Sequence, residues 1–164
     1  MSIEELSCKA LPFIQANRKM AEWLNNHYLA QEPQGLSKIL NLIKDRLHKL
    51  DEISELTKFI WQEKLNFSSH ILIPKKSNLE KTKEALKLSF ELLNKIIVQD
   101  LKPEILRQKF TDLCTTSGLT RAELLWPLRV ALTGQESSPD VFEIAEILGK
   151  DRVLKRISEA QSKL

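Results

Sequence analysis

Three times along this chain a serine or threonine stands three residues before a glutamate, just ahead of an apolar-periodic stretch: Ser2-x-x-Glu5, Ser77-x-x-Glu80 and Thr120-x-x-Glu123. At that spacing the hydroxyl accepts from the third helical N–H, and the glutamate reaches back to the N–H of the cap. Each pattern therefore starts a helix. Apolar residues recur at three- and four-residue steps almost everywhere, and no convincing alternating run marks a strand. With only four glycines in 164 residues and a hydrophobic content of 42%, turn-rich β architecture is disfavoured and a real core can form. The predicted class is all-α, with roughly eight helices in two consecutive small helical bundles.

The periodicity orders the chain as follows. The first capping box opens a helix that fades near Pro12 or Asn17. Residues 17–35 read as a short helix and a loop, closed by the breaker-rich Gln31-Glu32-Pro33-Gln34-Gly35. Leu36, Ile39, Leu40, Ile43 and Leu47 predict an amphipathic helix over 36–49. Asp51 can cap the next, whose inward face holds Ile53, Leu56, Phe59 and Ile60. Residues 64–77, with Pro74 and Ser/Asn-rich pieces, are the natural boundary, so the expected subdomains are 1–75 and 76–164. The second capping box opens the longest helix, with Leu79, Leu86, Phe90, Leu93 and Ile97 on one stripe. Pro103 begins another, with Leu106, Phe110 and Leu113 inward, ending at Gly118. Helices over 139–147 and 150–162 follow, separated by Gly149.

Residues 125–143 are the most specific stretch. Leu125-Trp126-Pro127-Leu128-Arg129-Val130-Ala131-Leu132-Thr133-Gly134 reads as a helix stopping at a left-handed glycine cap, kinked or restarted at Pro127. Ser137-Ser138-Pro139-Asp140-Val141-Phe142-Glu143 reads as a polar loop and a new helix capped by Ser138 and set by Pro139. Arg129 then lies near a helix–loop–helix corner. Its ordinary reading is a cation at a helix end or a partner for Glu136. Its functional reading, from the residues alone, is a corner suited to reading a partner and lacking the groups needed for bond-making.

Bond-making chemistry is not in view. His27, His48 and His70 are scattered, there is no Cys-x-x-Cys, and no glycine-rich phosphate loop occurs. Cys8 and Cys114 fit a reduced, cytoplasmic setting. A net charge of +3 is too mild to argue for nucleic acid alone. No apolar run approaches the ~18 residues of a membrane span, and the first residues do not read as a signal peptide. Trp23, Trp61 and Trp126 could stack on bases, although helical spacing favours packing. The basic residues around Lys75-Lys76 and Lys150, Arg152, Lys155 and Arg156 read as mostly solvated faces.

The 125–152 stretch resembles the carboxy-terminal anticodon-binding region of bacterial glutamyl-tRNA synthetases. That family carries Pro-Leu-Arg-x-Ala-Leu-Thr-Gly, a Ser/Thr-Pro-Gly-Leu-Phe-Glu corner, and Leu-Gly-(Lys/Arg)-(Asp/Glu)-Arg, which here reads Leu148-Gly149-Lys150-Asp151-Arg152. The likeness runs nearly end to end. It implies a module, without catalytic residues of its own, that binds the anticodon loop of tRNA-Glu through Arg46, Arg129, Ser138, Pro139 and Val141. An arginine at the place of Arg46 implies strict demand for cytosine at the third anticodon base; a glutamine there implies tolerance of both glutamate and glutamine tRNAs. Ser138, Pro139 and Val141 would clasp a splayed base with helix-start amides and a small apolar surface. Asp140 departs from the family glycine, and beside a phosphate backbone an acid is unfavourable unless it points away and serves the helix N-terminus.

The class I ligase signatures, His-Ile-Gly-His-like and Lys-Met-Ser-Lys-Ser-like, are missing. The resemblance therefore places glutamate ligation, with its ATP and magnesium, in a domain outside these residues, and expects a monomer with no membrane contact. Two other readings stay open: a free-standing helical scaffold for a protein partner, and a regulatory tRNA-binding paralogue.

Overall fold

The computed structural model describes residues 2–32 and 34–164, apart from the side chains of Leu29 and Gln31. The Pro33 of the expected breaker loop lies outside the described residues, as does Met1. The fold is all-α, with ten helices among the described residues. Two compact units divide the chain, Met1–Lys64 and Leu65–Leu164.

The first unit holds α1 (Ile3–Ala16), α2 (Arg18–Asn26), α3 (Gly35–Ile43), α4 (Ile53–Leu56) and α5 (Lys58–Trp61). The Ser2 box forms as predicted: Ser2 Oγ accepts from Glu5 N–H and the Glu5 carboxylate accepts from Ser2 N–H. Pro12 does not end α1. It lies on the exposed face, where the carbonyl it leaves unbonded can reach water. The stop comes at Asn17, which closes α1 and caps α2 by accepting from Met20 N–H at 3.1 Å. Leu6, Ala10, Ile14, Met20, Leu40, Ile43 and Ile53 form the core.

Two expectations fail here for local reasons. The helix predicted over 36–49 ends at Ile43 and tightens into a single 3₁₀ turn, Lys44–Arg46. The helix predicted after Asp51 is split at the buried Thr57, whose hydroxyl donates back to the Ile53 carbonyl at 2.7 Å. Its entry is closed by Glu52, not Asp51: the Glu52 carboxylate accepts from the N–H groups of His48 and Lys49.

The second unit holds α6 (Leu79–Lys95), α7 (Pro103–Ser117), α8 (Arg121–Thr133), α9 (Val141–Leu148) and α10 (Lys150–Gln161). α6, α8 and α10 pack mutually, with α9 on α7, α8 and α10. The break between units falls at Lys64, ahead of the expected 75/76, because the connecting residues belong to this core. Leu72 is fully buried, and Trp126 Nε1 donates to the Ile71 carbonyl at 2.9 Å. α6 starts one residue later than predicted. Asn78, not Ser77, is its cap, and Asn78 Oδ1 accepts from Lys81 N–H at 2.9 Å. The stripe on α6 shifts with it: Ala85, Leu86 and Leu93 are buried, while Leu79 and Ile97 are exposed and Ile96 turns inward. Pro127 is buried within α8, which continues through it.

Two helix ends in this unit are closed by cations from α10. Lys150 Nζ donates to the carbonyls of Asn94 and Ile96 at the end of α6. Arg156 Nη1 donates to the Leu132 carbonyl in the last turn of α8. Terminal carbonyls lack intrahelical donors and carry the negative end of the helix dipole, so both contacts are favourable. Arg156 is only 2% exposed, which corrects its reading as part of a solvated face.

Candidate nucleic-acid interface

Arg129 sits one turn before the end of α8, on a helix held from both sides. At its start the Thr120–Glu123 box forms, and the Glu123 carboxylate also pairs with Lys81 at 2.7 Å. The Lys81 contact, with the N–H and hydroxyl of Thr120, holds the Glu123 carboxyl down to about 2. At the other end Gly134 takes the left-handed conformation, φ 70°, and its N–H returns to the Val130 carbonyl. A Cβ at Gly134 would meet Phe67 Cδ1 at 3.3 Å. Thr133 Oγ1 donates to the Arg129 carbonyl at 2.8 Å and accepts from Gln135 N–H at 3.1 Å, fixing the start of the turn.

The Arg129 side chain is half-buried, and its Nε is shielded from solvent without a hydrogen-bond acceptor. Among the described residues no ion pair joins it to exposed Glu136. No hydrogen bond or ion pair among the described residues engages its guanidinium.

The turn after α8 is built differently from the sequence expectation. Ser138 is not the cap of α9; its hydroxyl donates to the Pro139 carbonyl at 3.0 Å. Asp140 is the cap, and its Oδ1 accepts from Phe142 N–H at 2.9 Å and Glu143 N–H at 3.1 Å. A carboxylate takes both amides and meets the positive end of the helix, which the hydroxyl of a serine two residues earlier cannot match. Those two amides are thus occupied from within the chain. Val141 is 3% exposed and packs into the core, so it offers no apolar surface to a base. Ser138 and Pro139 remain half-buried at the turn.

Asp140 also pairs with Arg107 of α7, Nη2 to Oδ2 at 2.9 Å. Burial would raise the Asp140 carboxyl, but the Arg107 guanidinium and the Glu143 and Phe142 amides outweigh it and hold the group below its ordinary value. The acid that replaces glycine in the resembled pattern is therefore neutralised locally. Arg107 was not foreseen: the pair spans 33 residues and leaves no local trace in the sequence.

Arg46 belongs to the first unit. It is exposed, in the 3₁₀ turn that follows α3, near the exposed Lys44, His48 and Lys49. Asp45 stands in the same turn and Asp51 and Glu52 follow, so these basic side chains alternate with acids. Arg129 lies in the last turns of α8, Ser138 and Pro139 lie in the turn that leads into α9, and α8 packs on α9.

Among the described residues the fold is strand-free, an all-helical domain in two units, with Arg129 one turn before a glycine-capped helix end. Residues 9–161 match the family model described as anticodon binding domain, and the chain belongs to that family. It is 30% identical over its whole length to a glutamate–tRNA ligase of Dehalococcoides mccartyi, of which it covers 32%. It is 31% identical over 132 residues to the Treponema denticola glutamate–tRNA ligase, covering 79% of this chain and 25% of that one. A crystal structure of a glutamate–tRNA ligase from Elizabethkingia meningosepticum shares the fold over the entire chain, with a TM-score of 0.80 at 24% identity, and the match covers 30% of that protein. The chain thus spans about a third of the relatives it matches. Among the described residues no helix is long and apolar enough to cross a membrane, and no group of three or more His, Cys, Asp or Glu is placed to hold a metal ion.

Proposed function

We propose that this chain is the anticodon-loop recognition module of a glutamyl-tRNA synthetase, each unit presenting one base-reading arginine. Arg129 would donate to and stack on a base, with Ser138 and Pro139 forming the adjoining wall and Val141 anchoring α9 beneath them. Arg46 would test the third anticodon base, its donors matching the cytosine carbonyl and opposing the donor edge of guanine. Ligation of glutamate to tRNA-Glu with ATP and magnesium would be carried out by a domain outside these residues. The observation that carries the reading is the match of residues 9–161 to the anticodon binding domain family, supported by a half-buried Arg129 one turn before the Gly134 cap.

The test is binding to two anticodon stem-loops, UUC and UUG, at one fixed salt concentration, because phosphate contacts make affinity salt-dependent. Preference for UUC, relaxed by Arg46→Gln without general loss, is expected. Equal, salt-sensitive binding would return Arg46 to a plain surface charge. No binding to either loop would refute the module as a self-sufficient reader.

A further inference from the structure

The turn between α8 and α9 carries an acid, and a surface that meets a polyanion tolerates an acid only when its charge is countered. The Asp140 side chain is 34% exposed, so left to itself it would show its charge to a ligand. Its two oxygens have separate partners. Oδ1 accepts from the Phe142 and Glu143 amides, which starts α9. Oδ2 accepts from Arg107 Nη2 at 2.9 Å, a bond that capping does not require.

Arg107 is seated for that bond. It projects from the second turn of α7, and its guanidinium carbon lies 5.9 Å from the centre of the Phe142 ring. Phe142 is buried and packs on Phe110, one turn further along α7, with ring centres 5.3 Å apart. A fixed ring on α9 and the helix α7 thus steer the guanidinium toward Asp140. The Asp140 hydrogen bond and charge come first in holding the guanidinium above its ordinary value, against the cost of burial, and Glu143 and Glu104 add to it. Arg107 therefore stands among three acids, Glu104, Asp140 and Glu143, where α7 meets α9.

We infer that Arg107 is a positioning residue for RNA binding, masking the Asp140 carboxylate so that the turn carrying Ser138 and Pro139 can approach a phosphate chain, an inference that rests on the anticodon-loop reading above. Arg107 does this without touching the RNA. Acid and arginine form a unit. Loss of the arginine alone bares a negative charge at the turn, and loss of the acid alone bares a positive one. Loss of both leaves the turn as neutral as it is now. A latch that only tied α7 to α9 would be broken equally in all three cases.

The test measures binding of the UUC stem-loop to the full chain by calorimetry over a series of salt concentrations, with a melting curve for each variant. Arg107→Met keeps an unbranched stem beside Phe142, and Asp140→Asn keeps the Oδ1 acceptor that caps α9. Arg107→Met is expected to weaken binding about threefold at low salt, the order for one charge near a phosphate at a partly screened surface. The loss should shrink as salt rises, and Arg107→Lys, which restores the charge, should bind as wild type does. Asp140→Asn should bind as tightly as wild type or more tightly. The double variant Arg107→Met/Asp140→Asn should return to the wild-type affinity and salt slope. If both single variants and the double weaken binding alike, the pair is only a latch and the masking role is overturned. If the double variant stays weak with a salt slope lower by about one, Arg107 grips a phosphate itself and the masking role is equally overturned. If Arg107→Met binds as wild type does, the inference falls while the anticodon-loop reading stands. If the wild-type chain binds no stem-loop, both fall.

Discussion

Arg156 of α10 donates to the main-chain carbonyl of Leu132, one turn beyond Arg129 on α8. The pair ties the last helix to the end of the helix that carries the candidate reading arginine. Burial, reinforced by neighbouring Arg152, lowers the Arg156 guanidinium to about 9, so it stays charged at neutral pH. Arg156→Met would remove the donor and strand a carbonyl in a dry core. The expected loss is about 1–3 kcal/mol of unfolding free energy, read as a lower urea midpoint at unchanged slope. A midpoint equal to wild type would show that the contact adds nothing.

Arg129→Ala separates recognition from folding. Its Nε makes no internal bond, so the thermal midpoint should barely move. Affinity for the UUC stem-loop should fall by about 1–3 kcal/mol, the usual cost of a base-reading arginine. Calorimetry on this variant and on Lys155→Ala distinguishes the outcomes. Equal losses would reduce Arg129 to a phosphate-neutralising charge.

Gly134 is constrained twice, by a left-handed backbone and by Phe67 at 3.3 Å from where a Cβ would lie. Gly134→Ala should destabilise by about 1–2 kcal/mol from the backbone alone, with further strain where Phe67 must move. Denaturant titration measures it, and a loss below a few tenths would contradict the strain argument.

Glu123 predicts an acid dependence. Its carboxyl is held at about 2 in the fold by Lys81 and Thr120, against an ordinary value near 4.3 in the unfolded chain. The lowered folded value means that the ionised form is favoured by folding. This stabilisation is complete above the unfolded value and fades as pH falls toward about 2. Melting curves of wild type and Glu123→Gln between pH 6 and about 2 should therefore converge at the acid end. A gap that stays constant across the range would rule out Glu123 as the titrating group.

Much of the fold is legible in the sequence because helices announce themselves by period and cap. Thr120–Glu123, the Gly118 and Gly134 stops and the inward Leu106 and Phe110 are all read from local spacing. What escaped depends on tertiary partners. Ser138 and Asp140 are both acceptable caps in sequence; only the fold decides for the residue that takes two amides and an Arg107 partner. Val141 reads as surface until α9 is seen to bury it. Arg156 did carry a signal, since it shares a three- and four-residue rhythm with Val153, Ile157 and Ala160, all buried. Of the candidate site, Arg129 keeps its place at the helix end, whereas the Arg107–Asp140 pair behind the turn, 33 residues apart, was not legible.

The cations of α10 also set an order of assembly. A ribosome delivers α8 and its turn before Lys150 and Arg156, so the carbonyls of Asn94, Ile96 and Leu132 emerge without the cations that serve them in the fold. The Leu132 carbonyl gains its donor only when the last helix folds back, and the same movement brings Lys150 to the end of α6. The helix end that carries Arg129 thus draws one of its closing contacts from a segment made after it. A nascent chain stalled short of Arg156 would keep the Gly134 and Thr133 closures of α8 and lack this one.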